Sequence, residues 1–244
     1  MGIITLTTDF GTQDGYVGAM KGVILAMAPG TTIVDITHEV PPFDVQVAAF
    51  TVAQAAPFFP DRTVHICIVD PGVGGTRQGV IVDDGRQLYV GPDNGIFCLA
   101  VPEPRAVHRI TAEKFRRGTV AATFHGRDVF APAAARLALG VPLEDAGQPT
   151  ELTVKAREGL GRVIHIDRFG NLVTDIPATR LPETTTRVKV GKLTIRGLSS
   201  HYQQVKAGRP LAYVGSAGTL EVAVREGSAA KKYGIKRGTK VDVR

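Results

Sequence analysis

Hydrophobic positions in the first half of the chain follow two alternating spacings. Residues 4–8 (ITLTT), 31–37 (TTIVDIT) and 63–69 (TVHICIV) form short, β-branched, apolar runs, which predict strands. Between them, residues 16–28 and 45–59 carry apolar side chains at helical spacing, which predicts two helices. Strands that alternate with helices indicate an α/β domain with a mostly parallel central sheet.

The same alternation continues as far as residue 140. The third strand is apolar almost without interruption, which is typical of a central parallel strand covered on both faces. Residues 79–91 predict a hairpin that turns at Asp84-Gly85. Residues 107–111 add a strand and residues 128–140 add a helix.

The pattern changes after residue 140. Residues 141–152 lack periodicity and are rich in turn formers, which indicates a linker. Beyond it, short alternating runs with glycine turns and little helical pattern predict a small all-β barrel or sandwich. These runs are residues 161–177, 186–198, 209–227 and 236–244. We therefore expect an N-terminal α/β domain over residues 1–145 and a smaller C-terminal all-β barrel domain over residues 156–244.

The composition is that of a globular protein. Of 244 residues, 43% are hydrophobic and 21% are charged. No apolar run approaches the roughly 20 residues of a membrane-spanning helix, and the N-terminus lacks the basic segment of a signal peptide. Cys67 and Cys98 lie in apolar surroundings without CxxC spacing, which favours core positions in a reducing compartment. We expect a cytoplasmic protein with no membrane partner, and a disulfide between the two cysteines is the less favoured alternative.

The charge balance raises nucleic acid as a partner. Lys and Arg number 29 against 23 Asp and Glu, which gives a net charge of +6. The excess is concentrated in residues 231–244, where charges alternate with Gly and Val as on a solvated strand. Since neither an aromatic stacking platform nor a nucleic-acid motif accompanies it, we expect no nucleic-acid partner.

Acidic residues follow three of the predicted strands. Asp9 follows the first, Asp35 lies at the end of the second and Asp70 follows the third. In open α/β sheets, ligands bind outside the carboxyl ends of the strands. One Asp at such a place is an ordinary cap or turn former, but several at one edge indicate a site.

Residues 68–79 (IVDPGVGGTRQG) place glycines directly after a strand, where a phosphate-binding loop is the first hypothesis. A dinucleotide-binding loop needs a third glycine where Arg77 stands, and a P-loop needs Gly-Lys-Ser/Thr, which the chain lacks. Both phosphate hypotheses therefore fail. What remains is Asp70 and Arg77, joined by a flexible loop that allows contact, although such a pair is also an ordinary surface ion pair.

A histidine in a glycine-flanked loop is the second candidate. His125 lies in residues 124–130 (FHGRDVF), just before a predicted helix, and its ordinary pKa suits acid–base chemistry near neutral pH. A lone histidine is also commonly structural. The histidines are dispersed without metal-binding spacing and Gly-x-Ser-x-Gly is absent, so neither a metal site nor a serine nucleophile is predicted.

The β-rich half contains a third candidate. Asp167, Phe169 and Asn171 surround a glycine turn, and Ser216 lies in a second turn. An aromatic face beside an amide suits a purine, because the ring stacks and the amide bonds the base edge. From the residues alone, two tight hairpins with Phe169 packed in the core are the favoured interpretation.

Seven segments, taken in order, resemble the S-adenosyl-L-methionine (SAM) hydrolase family, also called SAM hydroxide adenosyltransferases. The segments are TTDFGTQDGYVGAMKG, DITHEVPPFD, VDPGVGGTR, GPDNGIF, FHGRDVF, IDRFGNLVTDI and GSAGTLEVA. Fluorinase and chlorinase are halide-using relatives of this family. The resemblance spans essentially the whole chain. It implies an N-terminal α/β domain and a C-terminal β-barrel in a homotrimer, with each ligand between the N-terminal domain of one subunit and the C-terminal domain of the next.

The resemblance also implies roles for individual residues. The hydrolase set of Asp, Arg and His, which halogenases lack, corresponds to Asp70, Arg77 and His125. The implied substrate contacts are Asp9 for the ribose hydroxyls, Asp14 and Ser216 for the methionine end, Phe43 against the substrate, Asp167 for the ammonium, and Phe169 and Asn171 for the face and edge of adenine.

The activity implied is hydrolysis of SAM to adenosine and L-methionine by attack of water at C5′ of the ribose. Because a sulfonium is already a good leaving group, no metal or other cofactor is expected, only a positioned water in a dry pocket. We hypothesise that His125 and Asp70 orient and deprotonate this water while Arg77 fixes the carboxylate. Alternatives are a halide-using 5′-halo-5′-deoxyadenosine synthase, a methyltransferase and a non-catalytic adenosine- or SAM-binding protein.

Overall fold

The computed structural model describes residues 2–155, 161–184 and 187–244. The chain divides into two compact units, Met1–Ala156 and Arg157–Arg244. Each unit has a hydrophobic core of its own. None of the helices within the described ranges is long and apolar enough to cross a membrane.

Six strands form one sheet in the N-terminal unit. They are β1 (Ile3–Thr8), β2 (Thr32–Thr37), β3 (Val64–Ile68), β4 (Gly79–Asp83), β5 (Leu88–Pro92) and β6 (Ala106–Arg109). The order is β2-β1-β3-β5-β4-β6; the first four strands pair in parallel, and β4 pairs antiparallel with both β5 and β6. The predicted α/β unit, its mostly parallel sheet and its β4–β5 hairpin are confirmed.

Helices cover both faces of this sheet. They are α1 (Tyr16–Met27), α2 (Val45–Ala55) and α3 (Ala131–Ala138). Met20 of α1 and Leu137 of α3 pack with Ile66 of β3 on one face, and Val52 of α2 packs with Cys67 of β3 on the other. Full burial of such a side chain contributes about 2 kcal/mol, so β3, covered on both faces, holds the layers together.

The chain reverses its winding direction at β1. From β1 it passes through α1 to β2 on one side, and then through α2 to β3 on the other side of β1. The loops that leave the carboxyl ends of β1 and β3 therefore diverge and leave a crevice between them. In open α/β sheets, such a switch point is where ligands bind.

Two segments of the N-terminal unit differ from the sequence pattern. Residues 141–152, which were expected to be a linker, pack on the unit: Ala146 and Leu152 are buried, and the backbone N–H of Thr153 donates to Asp93. The turn-forming residues of this segment include a 3-10 turn over Leu143–Ala146. The predicted helix over residues 128–140 begins with a π-helical turn, Gly126–Phe130, and only then becomes α3.

The C-terminal unit is built from seven antiparallel strands. They are β7 (Val163–Ile166), β8 (Leu172–Pro177), β9 (Arg187–Val190), β10 (Leu193–Arg196), β11 (Pro210–Val214), β12 (Thr219–Val224) and β13 (Val241–Val243). Two sheets, β10-β9-β13 and β11-β12-β8-β7, share one apolar core. The predicted all-β character is confirmed.

Of the predicted barrel or sandwich, residues 161–184 and 187–244 form two sheets that pack on one core without closing into a barrel. The two sheets are joined at one side by a bridge between Arg162 and Lys240 and by backbone hydrogen bonds beside it, such as Val163 N–H to the Thr239 carbonyl at 2.9 Å, whereas β10 and β11 do not pair within these ranges. One short helix, α4 (Ala229–Tyr233), was not predicted; Ser228 caps its start and Gly234, with φ +62°, ends it.

Candidate active site

The candidate residues of the N-terminal unit lie where β1 and β3 end. Asp9 follows β1 and Asp70 follows β3, so both line the crevice at the switch point. The backbone N–H of Gly11 donates to the carbonyl of His38 at 2.8 Å, which ties the loop after β1 to the loop after β2. The sheet order thus brings three loops to one edge.

Arg77 folds back onto Asp70 as a two-pronged ion pair. Its Nε donates to Asp70 Oδ1 at 2.9 Å, and its Nη2 donates to Oδ2. Both side chains are largely buried, with 12% and 6% exposure. The loop glycines make this possible: a side chain at Gly72 would press on Arg77, and Gly74 has φ +76° with the carbonyl of Ala122 2.5 Å from where a Cβ would stand. A two-pronged ion pair of this kind fixes the orientation of both side chains in addition to pairing their charges.

His125 completes the cluster from the loop before the π-helical turn. Its Nδ1 lies 2.8 Å from Arg77 Nη2. Because a guanidinium can only donate, Nδ1 must accept, and the proton of the neutral ring therefore sits on Nε2. Burial, followed by the positive charge of Arg77, lowers the pKa of His125 below its ordinary 6.5. The ring is therefore neutral at physiological pH.

Asp128 holds the loop that carries His125. It is fully buried and accepts from Arg127 at 2.7 and 2.8 Å, from Arg117 at 3.2 Å and from the backbone N–H of Ala121 at 2.9 Å. The hydrogen bonds from Arg127, more than any other factor, lower the pKa of this carboxyl. Arg127 also lies over the ring of Phe124, 5.0 Å from its centroid.

A pocket of about 430 Å³ opens above these residues, within the range of small-molecule sites. Asp9, Asp70 and His125 line it together with an aromatic cluster of Phe10, Tyr16 and Phe124, whose ring centroids lie 5.3 to 6.2 Å apart. Sequence reasoning missed this cluster, because its three rings come from two loops and a helix that only the fold brings together.

Phe43 lines the same pocket in an unusual backbone conformation. Its φ is +66°, the residue is 72% exposed, and its N–H donates to Asp9 Oδ2 at 2.9 Å. A non-glycine residue in this region is held there by its surroundings, which here means the carboxylate of Asp9. Asp14 is exposed in the loop before α1 and is not among the residues that line the pocket.

The candidate residues of the C-terminal unit form one organised turn. Asp167 Oδ1 accepts from the backbone N–H groups of Phe169 and Asn171 at 2.9 and 2.8 Å, and its Oδ2 accepts from Asn171 Nδ2 at 2.8 Å. Phe169 is 75% exposed, so the interpretation that it packs in the core is wrong. Ser216 is exposed in the turn between β11 and β12.

A second cavity of the N-terminal unit has no histidine in its lining. This cavity of about 510 Å³ at the opposite edge of the N-terminal sheet is lined by charged residues such as Asp83 and Arg105, which pair with each other at 3.5 Å. Within the described part of the chain, no group of three or more His, Cys, Asp or Glu residues is placed to hold a metal ion.

Comparisons with known proteins agree along the whole chain. Sequence models of the SAM hydroxide adenosyltransferase N-terminal and C-terminal domains match residues 4–147 and 161–242. A Thermus thermophilus protein named (R)-S-adenosyl-L-methionine hydrolase is 41% identical over 96% of both chains. A fluorinase from Actinoplanes sp. is 28% identical, over 99% of this chain and 97% of that protein. A crystal structure of an uncharacterized conserved protein from Thermotoga maritima has a TM-score of 0.88 at 34% identity and 99% coverage of both chains. The chain belongs to the SAM hydroxide adenosyltransferase family.

Proposed function

We propose that this protein hydrolyses S-adenosyl-L-methionine to adenosine and L-methionine. The observation that carries the proposal is the contact of Arg77 with both Asp70 and His125 beside a pocket of suitable size. The relative from Thermus thermophilus is named as a hydrolase of the (R) epimer, and the relative named fluorinase is more distant. We therefore favour water over halide as the nucleophile.

The chemistry requires one bond to form and one to break. The oxygen of water bonds to C5′ while the C5′–S bond breaks, and the electron pair of that bond neutralises the sulfonium to the thioether of methionine. The attacking oxygen loses one proton, which passes through a carboxylate to solvent. Because the leaving group carries its own activation, the protein mainly positions the water and excludes bulk solvent.

We propose a different task for each of the three residues. His125 Nδ1 is occupied by Arg77, so the ring meets the water as an Nε2–H donor that orients it. Each oxygen of Asp70 receives one hydrogen bond from Arg77 and keeps a further lone pair, so Asp70 accepts the proton from water. Arg77 contacts both Asp70 and His125 and so fixes their positions relative to each other. This refines the sequence-based hypothesis, in which the histidine shared the deprotonation.

We also propose which residues contact the substrate. In the N-terminal unit we assign Asp9 to the ribose hydroxyls, Phe43 to the substrate face and Asp14 to the methionine end. In the C-terminal unit we assign Asp167, Phe169, Asn171 and Ser216 to the ammonium, adenine and methionine carboxylate. We further propose a homotrimer with sites between subunits, which the exposure of Phe43 and Phe169 in the single chain supports.

No cofactor is included in this proposal, because the sulfonium already supplies the leaving group. We propose a cytoplasmic location, which the free thiols of Cys67 and Cys98 support.

The decisive experiment is incubation with SAM in ¹⁸O-water, with and without chelator, followed by mass analysis of the products. We expect one ¹⁸O in the 5′-hydroxyl of adenosine, equal yields with chelator, and no 5′-halo nucleoside when chloride or fluoride is added. The two sulfonium epimers are assayed separately, and we expect the (R) epimer to react. Unlabelled adenosine, S-adenosylhomocysteine or a halo nucleoside as the main product would overturn the assignment.

A further inference from the structure

A chain of hydroxyl and carboxyl groups connects two turns of the C-terminal unit. Tyr213 of β11 lies opposite Glu221 of β12, and its hydroxyl donates to Glu221 Oε2 at 2.5 Å. The hydroxyls of Tyr213 and Tyr202 lie 2.7 Å apart. Asn171 Nδ2 then donates to the Tyr202 hydroxyl at 3.4 Å and to Asp167 Oδ2 at 2.8 Å. These five residues are called the Glu221 relay below.

The hydrogen bonds of the Glu221 relay run in one direction. The Asp167 carboxylate only accepts, so the nitrogen of the Asn171 amide faces it, and the same nitrogen donates to Tyr202. Tyr202 therefore gives its proton to Tyr213, and the single proton of Tyr213 goes to Glu221. Among the residues that the structure describes, Asn171 Oδ1 is left without a hydrogen-bond partner, as a free acceptor.

Glu221 is a fixed end point for this relay. It is only 7% exposed, and its carboxyl packs directly on Gly215, where any side chain would collide with it. Burial is the main reason that the pKa of Glu221 is raised. Because a buried carboxyl is costly without a partner, the Tyr213 hydroxyl is held as its donor. The same contact supports the turn that carries Ser216.

We propose that Glu221, through Tyr213 and Tyr202, is a positioning residue that fixes the Asn171 amide and thereby selects a nucleobase with an amine at the bonded edge. The inference rests on the proposed function, in which Asn171 contacts the adenine edge. The free Oδ1 accepts from the 6-amino group of adenine. The 6-oxo group of hypoxanthine would instead place a carbonyl oxygen opposite Asn171 Oδ1, so that two acceptors face each other. A site with a fixed acceptor rejects such a base strongly.

The relay also explains why the wrong amide orientation is excluded. If Asn171 turned its oxygen towards Tyr202, that hydroxyl would have to donate to it. Its proton is committed to Tyr213 as long as Glu221 accepts at the end of the relay. Removing the Glu221 carboxylate frees the hydroxyls of Tyr202 and Tyr213 to reverse the direction of their hydrogen bonds. Only Asp167 then holds the Asn171 amide.

The test compares SAM with the analogue whose adenine amine is replaced by a carbonyl oxygen. We expect the wild type to prefer SAM by about a hundredfold or more in kcat/KM, since one buried polar mismatch is rejected that strongly. We expect Glu221→Leu and Tyr202→Phe each to reduce this preference by about tenfold, mainly through KM for the oxo analogue, because one of two restraints on the amide is lost. Glu221→Gln, whose amide oxygen still accepts from Tyr213, should keep it.

Two controls make the test decisive. Tyr202 is 42% exposed, so Tyr202→Phe breaks the relay without opening the core if Glu221→Leu fails to fold. Tyr233→Phe removes a tyrosine hydroxyl elsewhere in the same unit and should leave the preference unchanged. An unchanged preference in both relay variants would overturn the inference.

A binding measurement separates this inference from the proposed function. Calorimetry with adenosine and inosine reports the base preference without any turnover. If the wild type fails to hydrolyse SAM yet binds adenosine over inosine, and the relay variants lose that preference, the proposed function is wrong and the inference stands. If the wild type hydrolyses SAM but binds and uses both bases equally, the inference is wrong and the function stands.

Discussion

Arg77 Nη2 lies 2.8 Å from His125 Nδ1 while the same guanidinium grips both oxygens of Asp70. One cation therefore sets the position of a carboxylate and the tautomer of a histidine at once. Since Arg remains protonated at any pH the fold tolerates, the arrangement persists until His125 itself is protonated. We therefore expect protonation of His125 to contribute an acid limb to the pH dependence of kcat/KM.

Replacing Arg77 with Met is expected to raise the pKa of His125. Burial and the Arg77 charge, in that order, lower this pKa from 6.5, and the variant loses the second cause and the hydrogen bond to Nδ1. The wild-type ring is neutral down to a pH below 6.5, so the acid limb of kcat/KM should lie below 6.5 and move upward in the variant. Histidine NMR titration measures both pKa values, and a wild-type Nδ1–H tautomer would contradict the geometry.

Arg105→Met is the matched control for this prediction. Arg105 is 70% exposed and pairs with Asp83 at the opposite edge of the sheet. The Arg105→Met substitution removes the same charge from the protein without changing the contacts of Arg77 with Asp70 and His125. The His125 titration should be unchanged in that variant, and an equal rise in both would mean that net charge, rather than contact, controls the histidine.

Asp70→Asn should remove the proposed proton acceptor with little change in side-chain volume, although its amide nitrogen cannot accept one of the two hydrogen bonds from Arg77. We expect kcat to fall by about two to four orders of magnitude, the usual contribution of a positioned base, with KM little changed. Steady-state kinetics with SAM measures this split. Asp61→Asn, at an aspartate that is 74% exposed, is the control. A rise in KM at constant kcat would instead make Asp70 a binding residue.

Gly74→Ala tests whether the loop geometry is needed for the Asp70–Arg77 contact. The new Cβ would stand 2.5 Å from the carbonyl of Ala122 at φ +76°, so the loop must move. We expect a loss of stability of about 1–3 kcal/mol and a fall in kcat of about tenfold or more, because Arg77 is displaced.

Gly85→Ala shares the backbone penalty of Gly74→Ala without the collision. Its φ is +92°, and the nearest atom belongs to the flexible Arg105 side chain, at 3.7 Å. Chemical denaturation and kinetics on both variants separate the two effects. If Gly85→Ala reduced kcat as much as Gly74→Ala, general destabilisation rather than loop position would explain the loss.

Local patterns were sufficient to predict the strands of the N-terminal sheet, and they allowed, without requiring, a contact between Asp70 and Arg77 within one loop. Apolar, β-branched runs mark β1, β2 and β3 directly, and Arg77 reaches Asp70 across only seven residues. His125 lies 48 residues from Arg77, and no local signal joins them; the resemblance to a family did so. Contacts across long sequence separations depend on the sheet order, which periodicity does not encode.

The C-terminal unit shows the same limit more strongly. Strand alternation predicts that Tyr213 and Glu221 lie on strands, but only the register of β11 and β12 places them opposite each other. An aromatic residue such as Phe169 is ordinarily buried, and nothing near it in sequence indicates its 75% exposure. The caps of α4, Ser228 and Gly234, were visible, but five residues are too few for a helical pattern.

His65 should make the protein sensitive to acid independently of its activity. The ring is fully buried, bonded through Nδ1 to Thr5 Oγ1 at 2.7 Å and stacked on Tyr89, and burial lowers its pKa to about 4. In the unfolded chain the ordinary value is 6.5, so between pH 6.5 and 4 the unfolded state binds the extra proton. The free energy of unfolding that the protein has above pH 6.5 therefore decreases by up to about 3 kcal/mol as the pH falls.

Denaturant titrations at a series of pH values measure this loss. His65→Gln cannot take up a proton, so its free energy of unfolding should fall less steeply than that of the wild type between pH 6.5 and 4, even if its stability at about pH 7 is lower. His201→Gln, at an exposed histidine, should follow the wild-type slope. Parallel curves for wild type and His65→Gln would show that other groups control acid unfolding, since the slope counts the protons taken up on unfolding.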